Sequence, residues 1–455
     1  MGVKKGDLVE ILVADLAYGG KGVGKIDGLV VLTRGGLPGD ILKVKIKKKK
    51  RNFAEAEIIE ILKGSRKRVE PVCSHFGLCG GCVWQNLDYE TQLNYKGKTV
   101  ENSLKHLGDF SDFVCEKISG SEKTYFYRNK MEFSFGTDPQ KKLILGLHPY
   151  QNFKEVFDLD KCYLQSEFSN EAVHWTRDFC SGEGLVPYDI KEHKGFLRYL
   201  AIREGLNKTE TMVNLVTFYE KFEKSNDFAS GLMQNFPQIK SVVQNINPKL
   251  ATIAFGEKEV VLGGQKVIQE RVGQLRFEVS ANSFFQTNSK QAEKLFDIVS
   301  EYAELEGSEE VLDLYSGTGA ISLSLAEKAK RVTGVESVED SVKNATRNAE
   351  LNSITNCRFI SGEAREVLSS LDQEGYLPQV IVADPPRGGM HKKVISSILS
   401  LKPEKIIYVS CNPSTLARDL KDLCEKDYGL EKVQPVDMFP QTYHIESVAK
   451  LARIR

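Results

Sequence analysis

Two side chains near the C-terminus carry the chemistry of a covalent catalyst. Ile406-Ile-Tyr-Val-Ser-Cys411-Asn-Pro sets a thiol where a short apolar strand should end, and a thiolate there is nucleophilic when a helix end or a neighbouring cation lowers its pKa. A lone cysteine is by default buried and inert. Two earlier strand-like runs also finish in ligand-type groups, however, so Cys411 is read as a nucleophile. Phe439-Pro-Gln-Thr-Tyr-His444-Ile-Glu446 adds a carboxylate able to act as general base. Its association with Cys411 lifts Glu446 above an ordinary solvated glutamate.

The two earlier runs end in Asp313-Leu-Tyr315-Ser-Gly317-Thr-Gly319 and Asp384-Pro-Pro-Arg387-Gly. Glycines at a strand-to-helix turn let backbone approach a ligand. Glu336, which closes the next strand 17 positions beyond Gly319, is spaced to accept both hydroxyls of a ribose. The pair specifies a nucleoside cofactor without saying which. A dinucleotide site prefers a third small residue where Ser322 stands, whereas D-x-x-x-G-x-G suits S-adenosylmethionine, a cation without phosphate that tolerates Asp313; methyl transfer is favoured over hydride transfer. Two prolines freeze the second loop and present Asp384 at low entropic cost. Arg387 stands where amino-directed methyltransferases usually carry an aromatic residue, which argues against an exocyclic amine as methyl acceptor.

A third group is Cys73-Ser-His75-Phe-Gly-Leu-Cys79-Gly-Gly-Cys82, a C-x5-C-x2-C pattern in a Gly-rich turn. Cytosolic thiols stay reduced, so the clustering reads as metal ligation rather than as disulfides. From spacing alone zinc with His75 is open beside an iron–sulfur cluster, while a radical S-adenosylmethionine cluster would want C-x3-C-x2-C.

More than one domain must carry these groups. The chain has 455 residues, 41% hydrophobic and 27% charged, which is material for two to four globular domains and excludes collagen-like or wholly disordered readings. No apolar run approaches the ~18–20 residues that span a bilayer, and Met1-Gly-Val-Lys-Lys-Gly lacks the apolar core of a secretory signal. A cytoplasmic protein is expected. Short alternating strands broken by Gly19-Gly20, Gly35-Gly36 and Pro38-Gly39 predict an OB-like β-barrel over 1–62. Strand-dominated texture predicts an α+β domain over 63–272. From 273 to 455 helical patterns alternate with Val311-Leu-Asp-Leu, Val332-Thr-Gly-Val, Val380-Ile-Val-Ala and Ile406-Ile-Tyr-Val. That is an α/β, Rossmann-like doubly wound sheet, which binds ligands at the carboxyl ends of its strands. The 62 basic and 62 acidic residues balance overall, but residues 1–68 hold 16 Lys/Arg against 8 Asp/Glu, and seven of the nine residues from Lys43 to Arg51 are cationic. Such a surface releases counterions from a phosphate backbone; the alternative is a solvated, Lys-protected edge strand.

Taken in order, the basic N-terminal part, C-x5-C-x2-C, Ser283-Phe-Phe-Gln286-Thr-Asn288, Leu314-Tyr315-Ser-Gly-Thr-Gly, Asp384-Pro-Pro-Arg-Gly, Ser410-Cys-Asn-Pro and Phe439-Pro-Gln-Thr-x-His-Ile-Glu446 resemble the RNA 5-methyluridine methyltransferases, in particular their iron–sulfur ribosomal-RNA uracil-5 branch. The resemblance covers nearly the whole chain. It implies that the barrel is a TRAM domain, that Gln286, Tyr315, Glu336 and Asp384 contact S-adenosylmethionine, and that Cys411 is the nucleophile and Glu446 the base. It also implies a [4Fe–4S] cluster on Cys73, Cys79, Cys82 and a distant fourth cysteine, for which Cys162 matches the family position ahead of Cys115 and Cys180. The substrate implied is RNA, 23S ribosomal RNA ahead of transfer RNA, with the barrel gripping it outside the catalytic cleft. Tyr127-Arg128-Asn-Lys130 resembles a segment near the target nucleotide, so Arg128 is a phosphate or base contact, or else a plain surface arginine. A monomer without membrane association or an obligate protein partner is expected. One departure stands out: after Glu446-Ser-Val, where the family usually continues with a Leu-Leu pair, Lys450 intrudes, although no chemical group is lost. The rival readings are a non-enzymatic iron–sulfur RNA-binding protein and a dinucleotide-dependent oxidoreductase.

Overall fold

A computed structural model describes residues 3–205, 209–250 and 254–454; Met1 and Gly2 of the N-terminal segment read above lie outside them. Strands Leu8–Ala17, Lys21–Ile26, Leu29–Arg34, Ile41–Lys49 and Phe53–Lys63 close into a barrel in which Phe53–Lys63 lies between Leu29–Arg34 and Ile41–Lys49. Alternation along the strands turns Ile11, Val13, Val31, Leu42, Val44 and Ile46 inward, each stabilising the barrel by roughly 1.5–3 kcal/mol on full burial. Closure pairs the lysine run on both sides as far as Lys45, while Lys48 and Lys49 have a ladder partner only in Phe53–Lys63. Lys43, Lys45 and Lys48 face Glu60, Glu57 and Glu55 across the ladder, and Lys47 pairs with Glu57 at 3.0 Å. The tip from Lys48 to Arg51 is exposed.

A seven-stranded sheet follows, ordered Lys258–Gly264, Ile239–Ile246, Glu210–Thr217, Leu197–Gly205, Lys130–Thr137, Leu143–Leu147, Phe157–Asp158. Helices Glu167–Gly182 and Ser225–Asn235 pack on it through Val173, Cys180, Phe228 and Leu232. The segment 63–272 divides its packing between two cores. Helix Tyr89–His106 sends Val100 and Leu104 into the core of the C-terminal sheet, and Val114–Cys115 adds an edge strand to that sheet.

The C-terminal sheet has the order Cys357–Ser361, Arg331–Glu336, Glu310–Leu314, Val380–Ala383, Lys405–Ser410, Glu446–Arg453, Tyr428–Val436, Val114–Cys115. The first five strands are mutually parallel. Strand order reverses at Glu310–Leu314, and the crevice at such a switch point is where an open α/β sheet takes its ligand. Glu446–Arg453 runs antiparallel to both neighbours, so its first residue lies at the edge where the parallel strands end. Lys450, at the departure from the family pattern, is buried but paired with Glu304 at 2.7 Å and Glu431 at 2.9 Å, which offsets its loss of water. Among the described residues no helix is long and apolar enough to cross a membrane.

Candidate active site

Ser410 faces Ser447 across the antiparallel ladder, so the next pair outward is Cys411 and Glu446. Cys411 precedes Asn412, the N-cap of helix Pro413–Leu423. The Asn412 side chain accepts from the Ser414 N–H at 3.1 Å and donates to the Arg387 carbonyl at 3.3 Å. The helix start is thereby clamped to the Asp384-Pro-Pro-Arg387 loop. Burial pushes the Cys411 thiol up to about 11, reinforced by the carboxyls of Glu446 and Asp384 and opposed by the Arg387 guanidinium. Desolvation and Asp384 hold buried Glu446 well above the usual carboxylate range, again against Arg387. Burial, then Arg387, Lys96 and Arg128, push His444 down to about 4, so its imidazole is neutral at pH 7. Both shifts favour the protonated forms of Cys411 and of the carboxyl beside it in the free protein.

The loop leading into Glu446 is fastened from two sides. Fully buried Lys96 pairs with Asp437 at 2.6 Å and donates to the Phe439 carbonyl at 3.0 Å. Gln92 exchanges two hydrogen bonds with Gln441, each 3.0 Å. From the cysteine segment, the N–H groups of Val83 and Trp84 both donate to the Gln441 carbonyl, at 3.0 and 3.1 Å. Sequence reasoning missed these supports. The available signal was that Gln92 and Lys96 repeat at intervals of four with Val100 and Leu104, on one face of helix Tyr89–His106. Arg128 lies over the Phe439 ring, 5.8 Å from its centroid.

The barrel touches the loop that leads into Glu446. Its turn after Ala17 brings Tyr18 edge-on to Tyr443, with ring centroids 5.4 Å apart, and Tyr443 packs on His444 at 4.2 Å. Leu16 and Leu37 of the barrel share a small core with Trp84 and Leu87, against which Tyr443 packs. Apolar burial that only the assembled domains can provide draws the barrel inward, and sequence periodicity within one domain carries no trace of it.

At the switch point, Tyr315 (φ 65°), Gly317 (φ 53°) and Gly319 (φ 83°) all adopt left-handed backbone. A Cβ on Gly319 would stand 3.0 Å from Phe359, so the turn demands glycine there. Glu336 accepts from the N–H groups of Gly317 at 3.1 Å and Val338 at 2.8 Å, which ties its carboxylate to the glycine turn. Asp313 accepts from the Ser322 hydroxyl at 2.5 Å through one oxygen while the other is buried without a partner. Desolvation raises Asp313 to about 7, and desolvation together with Asp313 raises Asp384 to about 7. A positive charge brought beside these two carboxyls would favour their ionised forms. The segment holding Gln286 spans between the two halves of the site. Ser283 accepts from Asn344 at 2.9 Å, on the helix that follows Glu336, and Asn288 donates to the Met438 carbonyl at 3.1 Å.

Cys73, Cys79, Cys82 and Cys162 line one cavity of about 40 Å³ beneath the central sheet, with His75 and Gln85 among its walls. Cys115 lies on the edge of the C-terminal sheet and Cys180 in helix Glu167–Gly182, neither of them at the cavity. Burial raises the four thiols, Cys82 to about 12 and Cys162 to about 11. The His75 Nε2 already accepts from the Asp160 N–H at 3.0 Å. Among the described residues no group of three or more His, Cys, Asp or Glu side chains is arranged to hold a single metal ion.

Residues 228–454 match the family model described as tRNA (Uracil-5-)-methyltransferase, and residues 2–59 match the TRAM domain. The chain is 41% identical over 469 aligned positions to an uncharacterized RNA methyltransferase of Chlorobaculum tepidum, covering 99% of this chain and 97% of that protein. It is 39% identical over 449 positions to one of Halalkalibacterium halodurans, covering 99% and 98%. Among solved structures, the Pyrococcus abyssi tRNA (uracil-54, C5)-methyltransferase in complex with S-adenosyl-L-homocysteine superposes with a TM-score of 0.77 at 30% identity, covering 98% of this chain and 100% of that one. With barrel, switch-point crevice and full-length likeness in agreement, the chain belongs to the RNA uracil-5 methyltransferase family, as a TRAM-bearing, S-adenosylmethionine-dependent RNA (uracil-5-)-methyltransferase.

Proposed function

We propose that the enzyme methylates its uridine through a covalent bond between Cys411 Sγ and C6 of the base, with Glu446 completing the cycle. The observation that carries this reading is the register that sets Ser410 opposite Ser447, which brings the adjoining Cys411 and Glu446 to the same edge of the sheet. C5 of uracil is too weakly nucleophilic to attack a methyl sulfonium. Addition of the Cys411 thiolate to C6 converts the ring into an enolate with carbanion character at C5. S-adenosylmethionine, when bound, supplies the electrophilic methyl group. Methylated C5 still bears its proton; the Glu446 carboxylate takes it, the electron pair restores the C5–C6 double bond, and the Sγ–C6 bond breaks to return the thiolate. Glu336 would accept the ribose hydroxyls of the methyl donor, with Gln286, Tyr315 and Asp384 completing its pocket. Arg128 would contact the target nucleotide, which must leave its stack to reach Cys411.

Cys73, Cys79, Cys82 and Cys162 would hold a [4Fe–4S] cluster, which when bound cross-links the 73–82 segment to the central domain. Four thiols around one cavity would suit a cluster that takes one thiolate on each of its four irons, whereas a zinc site would draw its ligands onto one atom. Engagement of His75 by Asp160 also speaks for all-cysteine ligation. Anaerobically purified protein should be brown with about four irons per chain, and Cys162→Ser should lower the iron content; stoichiometric zinc without sulfide would refute the assignment.

The RNA proposed is 23S ribosomal RNA, because the resemblance that joins a four-cysteine site to a TRAM barrel is to the ribosomal branch. A transfer-RNA target is the second reading, favoured by the Pyrococcus likeness and by the description of the matching family. Mapping 5-methyluridine in both RNAs from a deletion strain decides between them: loss of a ribosomal site with intact transfer RNA supports the first, and the reverse overturns it.

A further inference from the structure

The active-site account above leaves one aromatic group unexplained. Tyr18 is the second residue of a tight turn closed by the Gly20 N–H donating to the Ala17 carbonyl at 3.0 Å, with Gly19 (φ 94°) in the left-handed position that a type II turn reserves for glycine. Gly20 (φ 79°) lies so close to the cysteine segment that a Cβ would stand 2.9 Å from Val83 Cγ2. The turn is therefore pinned rather than free to sway. Its fixed end is the Val83-Trp84 stretch, whose N–H groups hold the Gln441 carbonyl in the loop that leads to Glu446. Tyr18 nevertheless leaves 44% of its surface exposed, at the mouth of a site that has to receive a planar base. Its ring meets Tyr443 at 83°, and two perpendicular rings make a corner in which a base can stack on one and abut the other. Through Tyr443, which packs on His444 at 4.2 Å, the ring is joined to the loop that ends in Glu446.

We propose that Tyr18, supplied by the barrel, is a wall of the base pocket that packs against the extruded uracil and holds it toward Cys411. The barrel then has a second task besides attracting RNA: it completes the site in which the base is positioned. The proposal rests on the assignment of Cys411 as nucleophile, and its test separates the two.

RNA carrying 5-fluorouridine at the target, with S-adenosylmethionine, is the probe, because after methyl transfer C5 bears fluorine and methyl but no proton, elimination is blocked, and the adduct to Cys411 should persist through denaturing gels. With Tyr18→Ala, the single-turnover rate of adduct formation at saturating RNA should fall by about tenfold or more, the range for loss of one base–aromatic stack. Tyr18→Phe should keep the wild-type rate, and binding of S-adenosylmethionine and the salt dependence of RNA affinity should not change in either variant. An unchanged adduct rate in Tyr18→Ala overturns the proposal. So does weaker RNA binding with an intact rate at saturation, which would assign Tyr18 to a flanking nucleotide. Cys411→Ala is run alongside: adduct surviving in it refutes the nucleophile assignment, whereas no adduct there with a wild-type rate in Tyr18→Ala refutes only the role of Tyr18.

Discussion

Cys411 should be slow to alkylate, by an amount that follows from its surroundings. Burial beside Glu446 and Asp384 moves its pKa from an ordinary 9.0 to about 11, which at pH 8 makes the thiolate roughly a hundredfold scarcer than in a free cysteine. A more basic thiolate is intrinsically more nucleophilic, and at a Brønsted slope of about 0.4–0.5 the same change recovers roughly tenfold. The net slowing is about tenfold, before any steric hindrance. Iodoacetamide labelling read by peptide mass spectrometry measures it, and the pH profile separates ionisation from access. The Cys411 rate should still be climbing at pH 10, with its midpoint near 11. Arg387→Ala should move the midpoint upward, since Arg387 is the cation that opposes the rise. S-adenosylmethionine, whose sulfonium adds a positive charge beside the thiol, should move it downward, and S-adenosylhomocysteine, which lacks that charge, should not. A midpoint at or below pH 8 in the free protein would refute the reasoning, because the helix end and Arg387 would then outweigh burial.

Removing each of the two proposed catalytic groups should stop the cycle at a different place. Cys411→Ala should abolish methyl transfer and leave no covalent RNA adduct, whereas Glu446→Gln should accumulate protein joined to methylated RNA, seen as a denaturant-resistant band that requires S-adenosylmethionine; wild-type turnover by Glu446→Gln would end that division of labour. Replacing Lys48, Lys49 and Arg51 by Ser should reduce the salt slope of RNA binding by about 2 if each meets a phosphate of single-stranded RNA, and an unchanged slope would return the exposed tip to a merely solvated role. This substitution is a cleaner test than removing residues 1–62, which would also strip Leu16 and Leu37 from Trp84. Lys96→Met should destabilise the protein by about 3–5 kcal/mol in denaturant titrations, because it leaves the Asp437 carboxylate buried without its cation; a loss under 1 kcal/mol would show that Tyr89, which donates to Asp437 at 2.9 Å, suffices.

The groups legible in the sequence are those whose position follows from local pattern. A strand-to-helix turn needs left-handed residues, so Gly317 and Gly319 announce the crevice, and apolar runs ending in Asp313, Asp384 and Cys411 announce one ligand edge, because every parallel strand finishes on the same side of its sheet. The three-cysteine spacing announces a cluster of thiols for the same local reason. What pattern cannot encode is which distant segments share a surface. Glu446 opens a strand instead of ending one, and only its antiparallel insertion beside Lys405–Ser410 turns that beginning to the edge where Cys411 sits. Cys162 joins the other three cysteines around one cavity, which no spacing rule could specify. Tyr18 reads as a loop residue of a separate barrel until Leu16, Leu37, Trp84 and Leu87 bury one another. Residue types and strand ends thus determined the chemistry available to this protein, while packing between domains, driven by apolar surface that no single domain could bury alone, decided which of those groups meet.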